Sequence, residues 1–253
     1  MSGGRGGIEH RRETLPGGRR VFVKSGPVSP LFTSEAEGLR WLGDIAVDVA
    51  FVNERSLAVD WVDTEPPTPA AVERFGRDLA RTHLLGAPSF GAPWPGFIAE
   101  LPMDNSAASS WPEFYAEQRL LPFVRQAELS PRETGLIERV IDRLPELSVA
   151  EPPARIHGDL WNGNVLWSRG RGVLIDPAAH GGHRETDLAM LALFGAPHLD
   201  RILAAYQEVA PLADGWRERV PLHQLHPLLV HVVLFGGGYR ESLISAVTRV
   251  LAL

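Results

Sequence analysis

The 253-residue sequence contains no cysteine, which excludes disulfide bonds, thiolate nucleophiles and cysteine-ligated zinc sites. Positive charge is also in short supply. The 25 Lys and Arg residues are outnumbered by 31 Asp and Glu residues, and the formal net charge is −6 at pH 7. Because a nucleic-acid-binding protein needs a basic face, we expect no nucleic-acid partner.

Long apolar runs are scarce as well. The longest, PLLVHVVLF at 227–235, is too short to cross a bilayer and includes His231. The first residues, MSGGRGGIEHRRE, lack the apolar core of a secretion signal. We therefore expect a cytoplasmic protein that has no membrane partner. We also expect it to be a monomer.

The sequence does have a hydrophobic fraction of 44%, enough for a large core in one domain or in two closely packed ones. Its beginning predicts strands and one helix. A Pro-Gly-Gly turn at 16–18 precedes a strand with alternating Val21 and Val23. A helix is expected at 34–43, with Ser34 as its N-cap and Gly43 as its end. Two further strands are expected at 46–54 and 56–62.

After a Pro-rich break at 63–70, the pattern becomes helical. Helical spacing predicts helices at 70–85, 112–129 and 131–147. A short buried strand at 171–177 follows, and several helices fill 184–253. We therefore predict an α+β fold with a small β-rich lobe at 1–62 and a larger, mostly helical lobe at 63–253. A cleft between two such lobes is a common place for a ligand.

The stretch IHGDLWNGNVLW at 156–167 contains the candidate catalytic residues. Asp159 follows His157 by two residues, and Asn164 follows Asp159 by five. Twelve residues further on, Asp176 ends an apolar run. Kinase-fold enzymes place a catalytic Asp and a metal-binding Asn at this spacing, followed by a second metal-binding Asp after a strand. The spacing therefore indicates phosphoryl transfer, which needs positioning and charge neutralisation more than covalent chemistry.

The N-terminal part supplies matching residues. Lys24 ends a predicted strand, as the phosphate-binding lysine of kinases does, and Glu35 in the next helix can pair with it. Gly6 and Gly7 precede the strands, where a glycine-rich loop would cover phosphates. Each residue alone has an ordinary structural explanation, such as a solvated lysine or a turn in which Asp159 bonds its own backbone. Their shared order and spacing favour the catalytic interpretation.

A metal site is an alternative use for the histidines. His180 and His183 are three residues apart, and so are His223 and His226. Such spacings occur freely on helices and loops, and no third ligand is evident. The histidine pairs therefore weigh less than the Asp159 motif.

On these motifs the chain resembles the fructosamine kinase (ketosamine kinase) family, which has the protein-kinase-like fold of the aminoglycoside phosphotransferases. HGDLWNGNVLW at 157–167 is similar to the family signature His-Gly-Asp-Leu-Trp-x-Gly-Asn, and 176–195 is similar to a second family stretch. Segments 32–42, 111–122 and 228–240 also resemble family segments. The resemblance extends from about residue 15 to the end, and Trp161 distinguishes this family from the wider phosphotransferases.

The resemblance implies an ATP-dependent kinase that phosphorylates the 3-hydroxyl of fructosamines, which are sugar adducts of small amines or of protein lysines. ATP and Mg²⁺ would be its cofactors, and Asp159 would accept the hydroxyl proton. The other implied roles are Mg²⁺ binding for Asn164 and Asp176, nucleotide binding for Lys24, Glu35, Asp60, Trp61, Val62, Gly6 and Gly7, substrate binding for Trp161 and His180, and bracing of the catalytic loop for Asp187.

Two departures from the pattern modify these expectations. Gly158 stands where kinases have the Arg of His-Arg-Asp, so we expect no control by activation-loop phosphorylation. His180 stands where the family usually has an aromatic side chain. Two other functions stay open: a kinase of another small alcohol, such as an aminoglycoside or choline-like substrate, and a non-catalytic nucleotide-binding protein. Trp161 argues against the first, and the retained Lys24 and Asp159 argue against the second.

Overall fold

The computed structural model of the protein describes residues 7–253. Its N-terminal part is a four-stranded antiparallel sheet with one helix packed on it. The elements are β1 (Glu9–Thr14), β2 (Arg20–Ser25), α1 (Leu31–Leu42), β3 (Val49–Asn53) and β4 (Ser56–Asp60). Their order in the sheet is β1-β2-β4-β3, so β2 and β4 are the central strands.

The alternation of β2 separates its side chains onto the two faces of the sheet. Val21 and Val23 form a small apolar cluster with Ala58 on one face. Phe22 and Lys24 lie on the other face, where Phe22 packs against the main core and Lys24 reaches α1. All of β1 is exposed, and its charged side chains are typical of a sheet edge protected against further pairing.

The C-terminal part is mostly helical. Its elements are α2 (Pro69–Leu84), β5 (Gly96–Ile98), β6 (Leu101–Met103), α3 (Trp111–Phe114), α4 (Leu121–Val124), α5 (Pro131–Leu147), β7 (Ala154–Ile156), β8 (Val165–Ser168), β9 (Arg171–Leu174), β10 (His180–Gly182), α6 (Glu185–Leu193), α7 (Leu199–Val209), α8 (Trp216–His223), α9 (Leu225–Phe235) and α10 (Arg240–Leu251). Short 3₁₀ turns lie at Gly43–Ile45, Asn162–Asn164 and Gly237–Tyr239, and Tyr115–Leu120 is a π-helical turn between α3 and α4. The six strands form three two-stranded ribbons, β5-β6, β7-β10 and β8-β9.

Local sequence explains where the long helices begin. The Thr68 hydroxyl accepts a hydrogen bond from the Ala71 N–H, so Thr68 is the N-cap of α2. Ser130 and Glu133 form a capping box at the start of α5, and a proline occupies the first turn of both helices. The helices predicted at 70–85 and 131–147 agree with α2 and α5 to within one residue.

One hydrophobic core joins the two parts of the molecule. It contains Phe32 and Leu39 from α1, Leu57 from β4, and Phe75 from α2. Backbone contacts reinforce the junction, because the Val47 N–H donates to the Leu174 carbonyl at 2.9 Å. A second core lies within the helical part, between the α3–α5 region and helices α9 and α10. The sheet and the helical part are therefore one packed unit with a cleft between them.

The predicted α+β organisation is confirmed, and the differences are local. Ser34 does not cap α1, which begins three residues earlier; its buried hydroxyl instead donates to the Pro95 carbonyl. The strand expected at 46–54 is shorter because residues 45–47 pack on the helical part. β9 ends at Leu174, before Asp176. Of the helices described, none has the length and apolar character needed to cross a membrane.

Candidate active site

The catalytic-loop motif begins directly after β7. His157 is fully buried, and its side chain holds the loop from both sides. Its Nδ1 accepts a hydrogen bond from the Asp159 N–H at 3.2 Å, so Nε2 carries the proton that is donated to the Ile175 carbonyl at 2.9 Å. Burial lowers the pKa of His157 despite the nearby Asp187 charge. A neutral imidazole therefore ties Asp159 to the segment that carries Asp176.

Asp187, at the start of α6, lies behind this loop. Its carboxylate accepts the His157 N–H at 2.7 Å and the Gly158 N–H at 2.9 Å. It also contacts Nε2 of His83 at 3.1 Å, and Nδ1 of His83 lies 2.8 Å from the Tyr206 hydroxyl. Burial opposes ionisation of Asp187, but these donors and charges outweigh it and lower its pKa. Asp187 therefore faces the loop backbone rather than the cleft.

Gly158 is required by the backbone. Its φ is +79°, and a Cβ at this position would lie 2.4 Å from the Ala178 carbonyl oxygen. A side chain there would be strained in conformation and would collide with the segment after Asp176. The absence of the kinase arginine therefore has a steric cause that the sequence comparison alone did not reveal.

Asp159 and Asn164 are in direct contact. The Asn164 side-chain N–H₂ lies 2.9 Å from the Asp159 carbonyl and 3.2 Å from its carboxylate. Burial raises the pKa of Asp159 to about 7; the Asn164 hydrogen bond opposes this rise, and the charges of Asp176 and Asp187 add to it. A carboxylate with a pKa near neutrality is suited to accept a proton from a substrate hydroxyl.

Lys24 connects the sheet, α1 and the Asp176 segment. Its Nζ lies 2.7 Å from the Glu35 carboxylate and 2.8 Å from the Asp176 carboxylate. Burial alone would lower the pKa of Lys24, but the two carboxylates outweigh it and the pKa is raised. Burial also raises the pKa of Glu35, against the effect of the Lys24 ammonium. The structure thus places one fixed cation opposite Asp159 and Asn164.

Asp176 has an unusual backbone conformation. Its φ is +55°, in the left-handed region that costs a non-glycine residue about 1 kcal/mol or more. Such strain often lies at functional positions. Here the Lys24 contact uses Oδ1, and the side chain is 46% exposed. Because the Asn164 amide nitrogen faces Asp159, its amide oxygen is available on the other side. Oxygen donors of this kind are the ligands that Mg²⁺ prefers, so both residues fit a metal role.

Asp60, Trp61 and Val62, which are predicted to bind the nucleotide, lie at the end of β4 and directly after it. Their side chains line a cavity of about 370 Å³, together with four arginines, Arg19, Arg20, Arg169 and Arg171. This cavity is distinct from the one that contains Lys24 and Asp159. The N–H groups of Asp60 and Trp61 donate to the Asp48 and Arg20 carbonyls. Within residues 7–253, the Val62 N–H has no such hydrogen bond.

The glycine-loop prediction is only partly within the described chain. Gly6 lies outside the described residues. Gly7 is exposed, and it lines the Lys24 cavity beside Ile8 and His10. The first strand begins at Glu9 and pairs with β2 so that His10 is opposite Lys24. Gly7 therefore lies at the edge of the Lys24 cavity, and its role in covering phosphates stays a prediction.

Trp161 has a defined position at the cleft. A Cβ on Gly163 would lie 2.2 Å from the Trp161 ring, so the indole packs directly on the Gly163 backbone. Trp161 as a whole is 41% exposed, so part of its surface is open to the cleft. His180 differs, because it is buried, stacks near Phe114 at 5.3 Å and bonds the Ala178 carbonyl through Nδ1. His180 is thus placed to support the loop from below rather than to touch a substrate.

Two adjoining cavities meet at the catalytic loop. One, of about 620 Å³, contains Lys24 and Asp176 and extends to Gly7. The other, of about 410 Å³, extends from Asp159 toward α9. Asp159 and Trp161 line both, and so do Ile98 and Ala99 of the β5-β6 hairpin. We did not predict this hairpin from the sequence, because strands of three residues leave almost no alternating pattern.

The two histidine pairs considered as metal ligands, His180 with His183 and His223 with His226, are not the groupings that the structure brings together. Instead, His183 and His223 lie together with Glu185, and one possible ligand atom from each falls within 4.8 Å of the others. Protein groups already satisfy them: Arg219 binds both Glu185 oxygens, Thr186 contacts His223, and the Glu185 N–H donates to His183. This buried cluster is accounted for as a structural network beside α6.

The fold and the site define the class of protein as a bilobal, kinase-fold phosphotransferase. A choline kinase from Streptococcus pneumoniae has the same fold, with a TM-score of 0.65 and 15% identity over 96% of this chain and 90% of that one. The sequence model described as fructosamine kinase matches residues 2–253, and the chain belongs to this family.

Individual relatives agree with this membership. A probable ketoamine kinase from Thermus thermophilus is 34% identical over 240 residues, which cover 90% of this chain and 87% of the relative. A crystal structure of a candidate fructosamine-3-kinase from Thermobifida fusca is 54% identical, with a TM-score of 0.93 over 98% of this chain and 94% of that one. The predicted family and protein-kinase-like fold are therefore confirmed.

Proposed function

We propose that the protein is an ATP-dependent kinase that phosphorylates the 3-hydroxyl of a ketosamine. Membership of the fructosamine kinase family supports an alcohol-directed phosphotransferase. The observation that carries the proposal is the Lys24 ammonium, held by Glu35 and Asp176 opposite Asp159 and Asn164. This arrangement offers a cation for phosphates, a base for a hydroxyl, and oxygen donors for a divalent metal between them.

The acceptor side depends on Asp159. Its carboxylate takes the proton of the substrate hydroxyl, and that oxygen forms a bond to the γ-phosphorus of ATP. The bond between the γ-phosphorus and the bridging oxygen breaks, and ADP leaves. Asp187 and His157 keep the Asp159 backbone in place during this step. Their role is positioning, because neither side chain faces the cleft.

The nucleotide side depends on Lys24, Asn164 and Asp176. Lys24 would bind the α- and β-phosphates, and Glu35 keeps its ammonium at the required place. Asn164 and Asp176 would hold Mg²⁺, which neutralises charge on the phosphates when bound. The Val62 N–H would donate to adenine, although the Val62 side chain lines a separate cavity. Gly7 lines the Lys24 cavity, where it would cover the phosphates.

An ATP-consumption assay with three acceptors tests this function. Fructosyl-lysine, ribulosyl-lysine and an aminoglycoside are compared under identical conditions, with phosphorus NMR to locate the phosphate. We expect turnover of a ketosamine, a phosphate on its third carbon, and none of this activity in Asp159→Ala. Phosphorylation of the aminoglycoside alone would replace the proposal with the other small-alcohol kinase.

A further inference from the structure

A cavity beside the catalytic loop has two chemically different ends. One end is Asp159 with Gly158 and Thr186, and the other is formed by α9. The cavity volume of about 410 Å³ is within the range of small-molecule sites, which is about 300–1,000 Å³. Because the reacting hydroxyl must lie at Asp159, the α9 end is left for another part of the same substrate.

Aromatic side chains connect these two ends. Trp161 contacts Phe194 with ring centroids 6.2 Å apart, and Phe194 contacts His231 at 5.0 Å. His231 then meets Phe235 at 5.5 Å and Tyr239 at 4.7 Å. The rings thus form a continuous wall, which we call the aromatic wall, from the catalytic loop to the rim at α9.

Charge is almost absent from this cavity. Among the residues that line it in the described chain, Asp159 is the one Asp, Glu, Lys or Arg. His226 is buried, and burial lowers its pKa well below the usual value, so it is neutral. Apart from Asp159 and the histidines, the described lining therefore has no charged side chain to pair with a carboxylate or a second ammonium of the substrate, and an unpaired charge is costly to desolvate.

The rim is apolar as well. Phe235 is 65% exposed, and Leu234 beside it is 37% exposed. Together with Trp161, they are among the eight large hydrophobic residues that the described surface leaves exposed. Three of these eight are therefore concentrated around one opening. Exposed apolar groups gathered at one opening mark a binding surface more often than scattered ones do.

We propose that the aromatic wall binds the amine substituent of the ketosamine, and that this substituent is an aromatic or similarly apolar group rather than a charged amino-acid side chain. The inference rests on the proposed function, since it assigns the sugar to the Asp159 end. The linking nitrogen of a ketosamine is a secondary amine, and its protonated form is attracted by aromatic faces. An apolar ring beyond this nitrogen would then lie along Phe194 and Phe235.

Two substrates that share the same sugar but differ in their amine test the proposal. One is the fructose adduct of benzylamine, and the other is the fructose adduct of the lysine ε-amine. For the wild-type protein we expect kcat/KM to be at least tenfold higher with the benzylamine adduct. Equal values, or a preference for the lysine adduct, would overturn the inference while leaving the kinase function in place.

Phe235→Ala isolates the aromatic wall. Because this side chain is mostly exposed, its loss leaves the core intact, and we expect kcat/KM for the benzylamine adduct to fall about tenfold. The lysine adduct should change less than threefold. Leu84→Ala is the matched control, because Leu84 is 61% exposed on α2 and does not line this cavity. An unchanged preference in Phe235→Ala would contradict the assignment.

Binding measured by calorimetry separates this inference from the proposed function. If neither adduct is phosphorylated, the kinase proposal fails. The cavity is then judged by affinity: tighter binding of the benzylamine adduct to wild-type protein, lost in Phe235→Ala, supports the aromatic wall. Equal affinities for the two adducts refute it.

Discussion

The raised pKa of Asp159 predicts that removing its charge will stabilise the fold at neutral and higher pH. Asp159→Asn replaces the candidate base with a group that resembles the protonated carboxyl in shape. We expect this variant to lose activity and to become more stable at pH 8. Kinetic and thermal measurements on the same protein therefore test the same carboxylate twice.

The sign follows from proton linkage. The pKa of Asp159 rises from 3.8 to about 7 on folding, so the folded state binds more protons than the unfolded state between these values. Stability therefore falls as pH rises through this window, and the loss is complete above about pH 7. A rise of this size corresponds to roughly 4 kcal/mol in favour of the protonated form. Because solvent reaches one side of Asp159, we expect about 2 kcal/mol.

The assay is thermal unfolding at pH 8, pH 5 and pH 4 without ligands. For a chain of this size, about 2 kcal/mol raises Tm by about 4–8 °C, and this is the expected gain of Asp159→Asn at pH 8. The gain should shrink at pH 5 and vanish near pH 4. In parallel, kcat/KM of the wild-type enzyme should rise with pH to a plateau above about 7, and the variant should lose at least about 100-fold.

Glu133→Gln is the control with the opposite sign. Arg240 and Ser130 lower the pKa of Glu133 to about 2, so its carboxylate stabilises the fold at every pH above the unfolded value. Its loss should lower Tm similarly at pH 8 and pH 5 without affecting the active site. The reasoning about Asp159 is refuted if Asp159→Asn melts at or below the wild-type temperature at pH 8, or if its gain is the same at pH 5.

Four further substitutions test the remaining parts of the site. Lys24→Met should weaken nucleotide use more than tenfold, about 1.4 kcal/mol, in ATP kinetics; unchanged kinetics would leave Lys24 a structural residue. Asp176→Asn suits the left-handed backbone and should preserve Tm, yet abolish metal-dependent turnover; normal turnover in a magnesium titration would contradict its metal role. Gly38→Val should raise KM for ATP more than Gly38→Ala, because a Cβ there already lies 3.2 Å from Ala179; equal values would show that α1 is free to shift. Asp187→Asn places an amide N–H against a backbone donor and should cost about 2 kcal/mol in urea unfolding, whereas an unchanged midpoint would exclude its bracing role.

Short-range signals predicted much of the fold. Helical spacing predicted the bounds of α2 and α5 to within one residue, and the alternating valines predicted β2. Ser34 misled because its residue type suits a helix cap, while its actual partner, the Pro95 carbonyl, is 61 positions away in the sequence. Local sequence patterns predict the ends of an element when its partners are nearby in the sequence. They fail when a contact distant in the sequence determines where the element begins or ends.

The candidate site divides in the same way. The spacing of Asp159, Asn164 and Asp176 is readable because one loop and one ribbon carry all three. The acceptor cavity was not predicted, since tertiary packing gathers it from the β5-β6 hairpin, the catalytic loop and α9. His180 was assigned to the substrate from its position in a motif, but it is buried beside Phe114, a contact between residues 66 positions apart in the sequence.

The cleft already has its side chains in contact in the absence of ligands, and its charges indicate which ligand it accepts. Lys24 already contacts both Glu35 and Asp176, and α1 lies against Pro177 and Ala179 at Gly38 with little space for a side chain. Two carboxylates thus contact one ammonium, and Asp159 lines the same cavity, so the excess of negative charge in the cleft repels a bare polyphosphate. A divalent cation held by Asp176 would reverse that balance, and Lys24 would then be able to bind the phosphates. With Gly158 fixed by sterics, no arginine is present beside Asp159 to receive a regulatory phosphate. We therefore expect the charge of an incoming metal–nucleotide pair, rather than a movement of α1, to complete this site.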